Sequence, residues 1–203
     1  MRIAITGSHG VGKTTLINDL LKFLNKKEET MKAGITGSHG TGKTTLSKHI
    51  AGRNNYKLLP ESPRQALQLG FPINENTPIE TEFWIFGKQL EMEMIAGDNY
   101  IADKCFIDLL AYAICIFGNN LEFIKVLREI TERAVRKYDV VIYLPSGEFP
   151  IEDDGVRSTD PKFQAKIDEL IVEILHDFNI KYTRITGGKE ERYQKALKAI
   201  KSN

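Results

Sequence analysis

The sequence predicts an α/β fold, a parallel β-sheet with helices on both faces. Three observations carry this. Short strand-like runs alternate with stretches of helical periodicity from residue 31 onward. One run, Val140-Val141-Ile142-Tyr143-Leu144, is continuous and rich in β-branched residues, as a strand buried on both faces should be. The third is Gly37-Ser38-His39-Gly40-Thr41-Gly42-Lys43-Thr44, a glycine-rich turn between a strand-like and a helical segment, which fits G-x-x-x-x-G-K-[ST]. Glycines there let successive backbone N–H groups curl around phosphate oxygens. The lysine reaches the β/γ-phosphates, and the threonine hydroxyl holds Mg²⁺. This is the phosphate loop of P-loop NTPases, and it places the ligand at the carboxyl ends of the strands.

The elements follow in order. Residues 1–16 recur at 31–46 with 12 of 16 positions identical, so a strand, a phosphate loop (Gly7 to Thr14) and a helix start appear twice. After the second copy, Tyr56-Lys57-Leu58-Leu59 reads as a strand ending at Pro60-Glu61. Ser62 is expected to cap a short helix with Pro63 at its first position, stopped by Gly70. Thr77-Pro78-Ile79-Glu80 reads as a capping box, opening a helix with Ile79, Phe83, Phe86, Leu90 and Met94 inward. Gly97-Asp98-Asn99 ends it, Tyr100 to Asp103 is a short strand, and Ile107 to Phe117 an apolar helix. An amphipathic helix over about 121–137 feeds the strand at 140–144. Pro145 to Ser158 is a loop, after which Asp160-Pro161 caps a helix with Phe163, Ile167, Leu170, Ile171, Ile174 and Phe178 inward. A strand over Lys181 to Ile185 and a helix over 189–201 complete the chain.

Composition narrows the partners. Lys+Arg number 28 and Asp+Glu 27, so there is no basic excess and no nucleic-acid partner is expected. No apolar run approaches the roughly twenty residues of a membrane span, and no secretory segment opens the sequence. Cys105 and Cys115 lack metal or redox spacing and read as reduced, buried thiols of a cytoplasmic protein. His9, His39, His49 and His176 form no metal-ligand pattern, and the two loop histidines sit where backbone should matter more than side chain. Trp84 is expected in the core or lining a pocket.

Several residues can carry chemistry. Gly37, Ser38, His39, Gly40, Thr41, Gly42, Lys43, Thr44 and Thr45 form the expected ATP site. Asp103, at a strand end, can hold Mg²⁺ opposite Thr44, or can merely cap the next helix. Glu61 ends the preceding strand and can accept a proton from an attacking hydroxyl or anchor a sugar, while Arg64 can clamp a phosphate. The bland alternative is a surface Glu–Arg pair of little worth. Arg157, in the long loop, can stabilise the transferred phosphoryl group, or can simply be solvated.

The ordered set Ile35-Thr36-Gly37 with its loop, Glu61-Ser62-Pro63-Arg64, Asp103-Lys104, Asp108-Leu109-Leu110-Ala111-Tyr112 and Asp154-Gly155-Val156-Arg157 resembles the small AAA-labelled ATPase/kinase family. That family includes the nicotinamide riboside kinase domain of bacterial NAD-biosynthesis regulators, is related to thymidylate and deoxynucleoside kinases, and has many bacteriophage members. The likeness covers residues 31–203. It implies a nucleoside/nucleotide kinase-like P-loop fold, ATP phosphates on residues 37–45 and Mg²⁺ near Thr44 and Asp103. It further implies an acceptor site at Glu61 and Arg64 and a lid contact from Arg157. Relatives often carry arginine after the strand-end aspartate, where this chain has Lys104, a point charge rather than a bidentate fork. Lys104 thus leaves open whether the acceptor is a nucleotide or an uncharged nucleoside.

Only one copy of the loop can hold the centre. Thirteen residues separate Lys43 from Tyr56, enough for one helix and a return, whereas Lys13 lies forty-three residues away. Strand propensity favours the first copy, because Gly34 weakens the second. Connectivity outweighs propensity, giving an added unit at 1–30 and a kinase-like domain at 31–203. The apolar first helix, with Leu16, Leu20 and Leu24, makes a homodimer plausible. The expected activity is Mg²⁺-dependent transfer of the ATP γ-phosphoryl group to a nucleoside or nucleotide-like acceptor, with Lys43, Glu61 and Arg157 as catalytic groups. The rival is a regulatory NTPase without a small acceptor.

Overall fold

Five parallel strands form one sheet in the order β2-β3-β1-β4-β5. They belong to a computed structural model that describes residues 4, 6, 12–17, 30–150 and 158–202. The chain divides into two compact units, Met1–Thr30 and Met31–Asn203. In the first, residues 13–17 are helical, and the Leu16 amide donates to the Gly12 carbonyl at 3.0 Å.

The second unit runs β1 (Lys32–Thr36), α1 (Lys43–Asn54), β2 (Lys57–Leu59), α2 (Ser62–Gln68), a 3₁₀ turn (Asn74–Asn76) and α3 (Ile79–Ala96). It continues with β3 (Tyr100–Ala102), α4 (Phe106–Phe117), α5 (Glu122–Val135), β4 (Val140–Tyr143), α6 (Pro161–Asp177), β5 (Thr183–Arg184) and α7 (Lys189–Lys201). Alternate side chains of each inner strand feed two cores, as the pleat requires. Tyr100, Ala102, Val141 and Tyr143 meet α3 to α6 on one face, and Ala33, Ile35, Ile101 and Ile142 meet α1 and α7 on the other. Helices therefore cover both faces of the parallel sheet, as the sequence predicts.

Local details depart from the sequence reading. Glu61, not Ser62, is the N-cap residue of α2, and the buried Ser62 hydroxyl has no hydrogen-bond partner among the described residues. Thr77 forms no capping box: its hydroxyl donates to the Asn74 carbonyl at 2.7 Å, and α3 starts after Pro78. The inward face of α3 is also rotated from expectation. Phe83, Leu90 and Met94 are exposed, while Thr81, Glu82, Ile85, Phe86, Gln89 and Glu93 are buried. The cause is a polar network. Gln89 donates to Glu93 at 2.9 Å, and the Tyr138 and Tyr100 hydroxyls donate to the same carboxylate at 2.6 and 3.1 Å. Satisfied hydrogen bonds let polar groups occupy a core face that a hydrophobicity pattern would deny them. Cys105 is buried and Cys115 only partly so; both are free thiols.

The central strand is β1, from the second repeat. Gly34, weak by propensity, is favoured there by packing: an added Cβ would lie a tight 3.0 Å from Tyr138 Cε2 and 3.2 Å from Cys105 Cβ. Its equivalent in the first repeat is Ala4, and that of the fully buried Ala33 is Ile3. Gly34→Ala is therefore expected to cost about 1–3 kcal/mol through overpacking, against a strand-propensity gain below about 1 kcal/mol. Chemical denaturation measures the difference; a stabilised variant would refute the packing argument.

Candidate functional site

The strand order sets the site. Carboxyl ends of β2, β3 and β1 lie side by side and deliver Glu61, Asp103 and the loop at 37–42, while β4 and β5 bring residues 145–150 and 186–188 to the loop's other flank. Gly37 (φ 151°) passes so close to Leu144 that an added Cβ would sit 2.3 Å from its carbonyl oxygen, so no other residue fits. Gly42 (φ 86°) turns the chain into α1.

Lys43 is buried and donates to the carbonyls of Gly37 and Ser38 at 2.6 and 2.7 Å. Its nearest carboxylate is Asp108 of α4, at 3.9 Å and fully buried. Asp108 accepts hydrogen bonds from the Gly37 and Cys105 amides at 3.1 Å each, tying loop, strand end and helix start together. Burial pushes its carboxyl up, against the pull of Lys43 and Lys104. The sequence marks Asp108 only through the resemblance; its contact with Gly37, 71 positions away, leaves no local trace. The His39 side chain is likewise buried rather than incidental. Nδ1 shares a 2.8 Å hydrogen bond with the Tyr112 hydroxyl, and the ring stacks on Phe163.

On the β2–β3 side, the Thr44 hydroxyl donates to Glu61 Oε1 at 3.1 Å. Asp103 is buried, and its Oδ1 has no hydrogen-bond partner among the described residues. Burial, then the charge of Glu61, raises its carboxyl from 3.8 to about 6. A buried carboxylate oxygen left open beside a loop threonine fits a divalent cation that takes most of its ligands from phosphate and water. Among the described residues no cluster of three or more His, Cys, Asp or Glu forms a metal cage.

Two cavities flank the loop, and Lys43 lines both. The one beside β2 and β3 is a narrow cleft of about 40 Å³ walled by Glu61, Arg64, Glu82, Lys104, Leu109 and Tyr112, among others. Lys104 is buried there with its Nζ 3.9 Å from the centre of the Tyr112 ring. The other, about 230 Å³, lies along residues 40–46 and is closed by His49, Phe149, Pro150, Lys189 and Arg192. Arg192 of α7 is buried and donates to the Thr41 carbonyl at 2.5 Å and to Glu148 at 2.7 Å, with Phe149 over its guanidinium. It braces the loop against the two neighbouring strand ends. Sequence reasoning passes over Arg192, because a helix of Lys, Glu and Arg reads as a solvated surface. Arg157 falls among residues 151–157, outside the described residues.

Glu82, also missed, is 3 % exposed. Burial raises its carboxyl from 4.5 to about 7, although the charge of Lys104 pulls it down. The folded protein holds that proton more tightly than the unfolded chain, so the contribution to stability is complete below pH 4.5 and is lost as pH rises through about 7. The loss amounts to about 3 kcal/mol. Urea unfolding is expected to show Glu82→Gln matching the wild type near pH 4 and exceeding it at pH 8; equal pH slopes for the two proteins would contradict this.

Known proteins share the fold. The NadR protein, solved in complex with NR, superposes with a TM-score of 0.71 at 18% identity over 85% of this chain and 51% of its own. The chain thus spans about half the length of that protein. Deoxyadenosine kinase from M. mycoides matches with a TM-score of 0.59 at 15% identity, covering 85% of this chain and all of the other. Thymidylate kinase from Candida albicans gives 0.59 at 16% identity, with 86% and 92% covered. These likenesses show an α/β P-loop NTPase fold. No curated protein sequence matches the chain. The family described as AAA domain matches residues 32–192, a span that takes in the loop, both strand-end carboxylates and the bracing Arg192. By that match the chain belongs to the AAA domain family.

Proposed function

We propose that the protein is a Mg²⁺-dependent kinase that transfers the γ-phosphoryl group of ATP to a nucleoside or nucleotide-like small molecule. The observation that carries this reading is the pair of cavities meeting at Lys43, one beside residues 40–46 and one beside Glu61 and Arg64. A donor and an acceptor need two such compartments with the reacting phosphoryl between them, whereas a nucleotide-operated switch needs only the first. The kinase fold of the superposed proteins supports the same choice.

The donor's phosphates lie on the amides of residues 37–45, with its base in the larger cavity. Lys43 turns from the Gly37 and Ser38 carbonyls to the β- and γ-phosphates, supplying positive charge where it is needed. Thr44 and Asp103 are the residues that would hold Mg²⁺, which would supply positive charge against the phosphates. Glu61 accepts the proton of the attacking hydroxyl, and Arg64 and Lys104 orient the acceptor. Arg157 contacts the phosphoryl group from the loop, following the family resemblance. No helix among the described residues is long and apolar enough to cross a membrane.

The test is ATP consumption with a panel of nucleosides and nucleotides, coupled to mass-spectrometric detection of phosphorylated product. Consumption that depends on one acceptor class is expected. Hydrolysis unchanged across the whole panel would favour the regulatory NTPase.

A further inference from the structure

Glu82 has no part in the reaction just outlined, yet it is a buried carboxylate on the wall of the acceptor cleft. The same helix provides an internal comparison. Two and three turns later, Gln89 and Glu93 are buried as well, and donors from Gln89, Tyr100 and Tyr138 satisfy the Glu93 carboxylate. Glu82 accepts no such bond from the described residues; only the charge of Lys104 reaches it. Burying a carboxylate without donors is costly, and a Coulombic neighbour does not replace the missing hydrogen bonds. A position that folding alone would disfavour is explained if a ligand brings the donors.

We propose that Glu82 is the specificity-determining residue of this cleft, selecting an acceptor whose flat heterocycle turns an exocyclic amino group toward it. The inference rests on the cleft being the acceptor site. Apolar and aromatic walls from Ile73, Ile85, Leu109 and Tyr112 suit the faces of such a ring. A carboxylate accepts readily from an exocyclic amino group. With Glu82 ionised, above about pH 7, a carbonyl oxygen at that place would set two acceptors against each other, leaving both buried and unpaired. Glu61 and Arg64 remain for the hydroxyl that is phosphorylated. Recognition and chemistry are thereby divided between α3 and the end of β2.

Calorimetric binding to the full chain at pH 8, where Glu82 is ionised, tests this with pairs of ligands that differ at an amino group: cytidine against uridine, adenosine against purine riboside, and guanosine against inosine. The wild type is expected to bind the amino member of at least one pair about tenfold or more tightly than its counterpart. In Glu82→Gln, whose amide can donate or accept, that preference should shrink to about twofold, with ATP affinity unchanged as the control for folding. The proposal is overturned if the wild type binds or discriminates no pair, or if Glu82→Gln keeps the full preference. Turnover measured alongside separates the two readings. Selective binding without phosphorylation would sink the kinase and leave Glu82 as the selector. Phosphorylation without amino-group preference would do the reverse.

Discussion

Lys43→Ala is expected to reduce phosphoryl transfer by about a thousandfold and to weaken ATP binding severely, while Lys13→Ala leaves both unchanged. Both lysines sit in the same motif, so the prediction rests on what surrounds them. Lys43 begins α1 directly after the central strand and is held against Gly37, Ser38 and Asp108. Asp103 stands at the end of β3, beside that strand, and Glu61 at the end of β2, the next strand of the same sheet. The central position itself suits the second repeat, because Gly34 and Ala33 fill places that Ala4 and Ile3 would overfill. Calorimetric ATP binding and steady-state kinetics on the two variants decide the matter. Binding lost with Lys13 but kept without Lys43 would reverse the assignment.

Glu61→Gln carries the second large effect: turnover lower by about 10²–10⁴ with ATP affinity nearly unchanged. Glu61 lies in the acceptor cleft, yet it also accepts a hydrogen bond from Thr44 and raises the carboxyl of Asp103. These contacts make two roles distinguishable. A proton acceptor, once replaced, lowers kcat at every Mg²⁺ concentration and removes the acidic limb of the pH–rate profile. A residue acting mainly on the cation instead raises the Mg²⁺ requirement, and excess Mg²⁺ restores the rate. Full restoration by Mg²⁺ would overturn the assignment of Glu61 as base.

Much of this was legible in the sequence, for a specific reason. Patterns of local origin survive into the fold: the alternation of elements, the proline and aspartate that start α6, the span of α7 and the buried β-branched run of β4. Asp160 does cap α6, accepting from the Lys162 amide at 2.9 Å. The inward face of α3 differs from the one its long apolar side chains predict, because tyrosines from β3 and the turn before β4 admit Glu93, with Gln89 bonded to it, to the core. Gly34 was undervalued because propensity has no knowledge of Tyr138.

The site shows the same division. Gly37 to Thr45, Glu61, Arg64, Asp103 and Lys104 could be picked out because each follows a strand in a recognisable order, and strand ends in a parallel sheet converge on one edge. Asp108, Glu82 and Arg192 could not be read in the same way. Arg192 reaches the Thr41 carbonyl across 151 residues, and no local spacing records such a contact.

By itself the sequence determined a doubled phosphate-binding loop, an alternating α/β order and a set of strand-end carboxylates, since backbone chemistry and periodicity act over a few residues. The tertiary structure alone decided which repeat lies at the centre of the sheet, and that two cavities meet at Lys43. It alone left Glu82 buried without a donor among the described residues. Those outcomes depend on steric fit and desolvation between segments remote in the chain, and such terms exist only once the segments are packed.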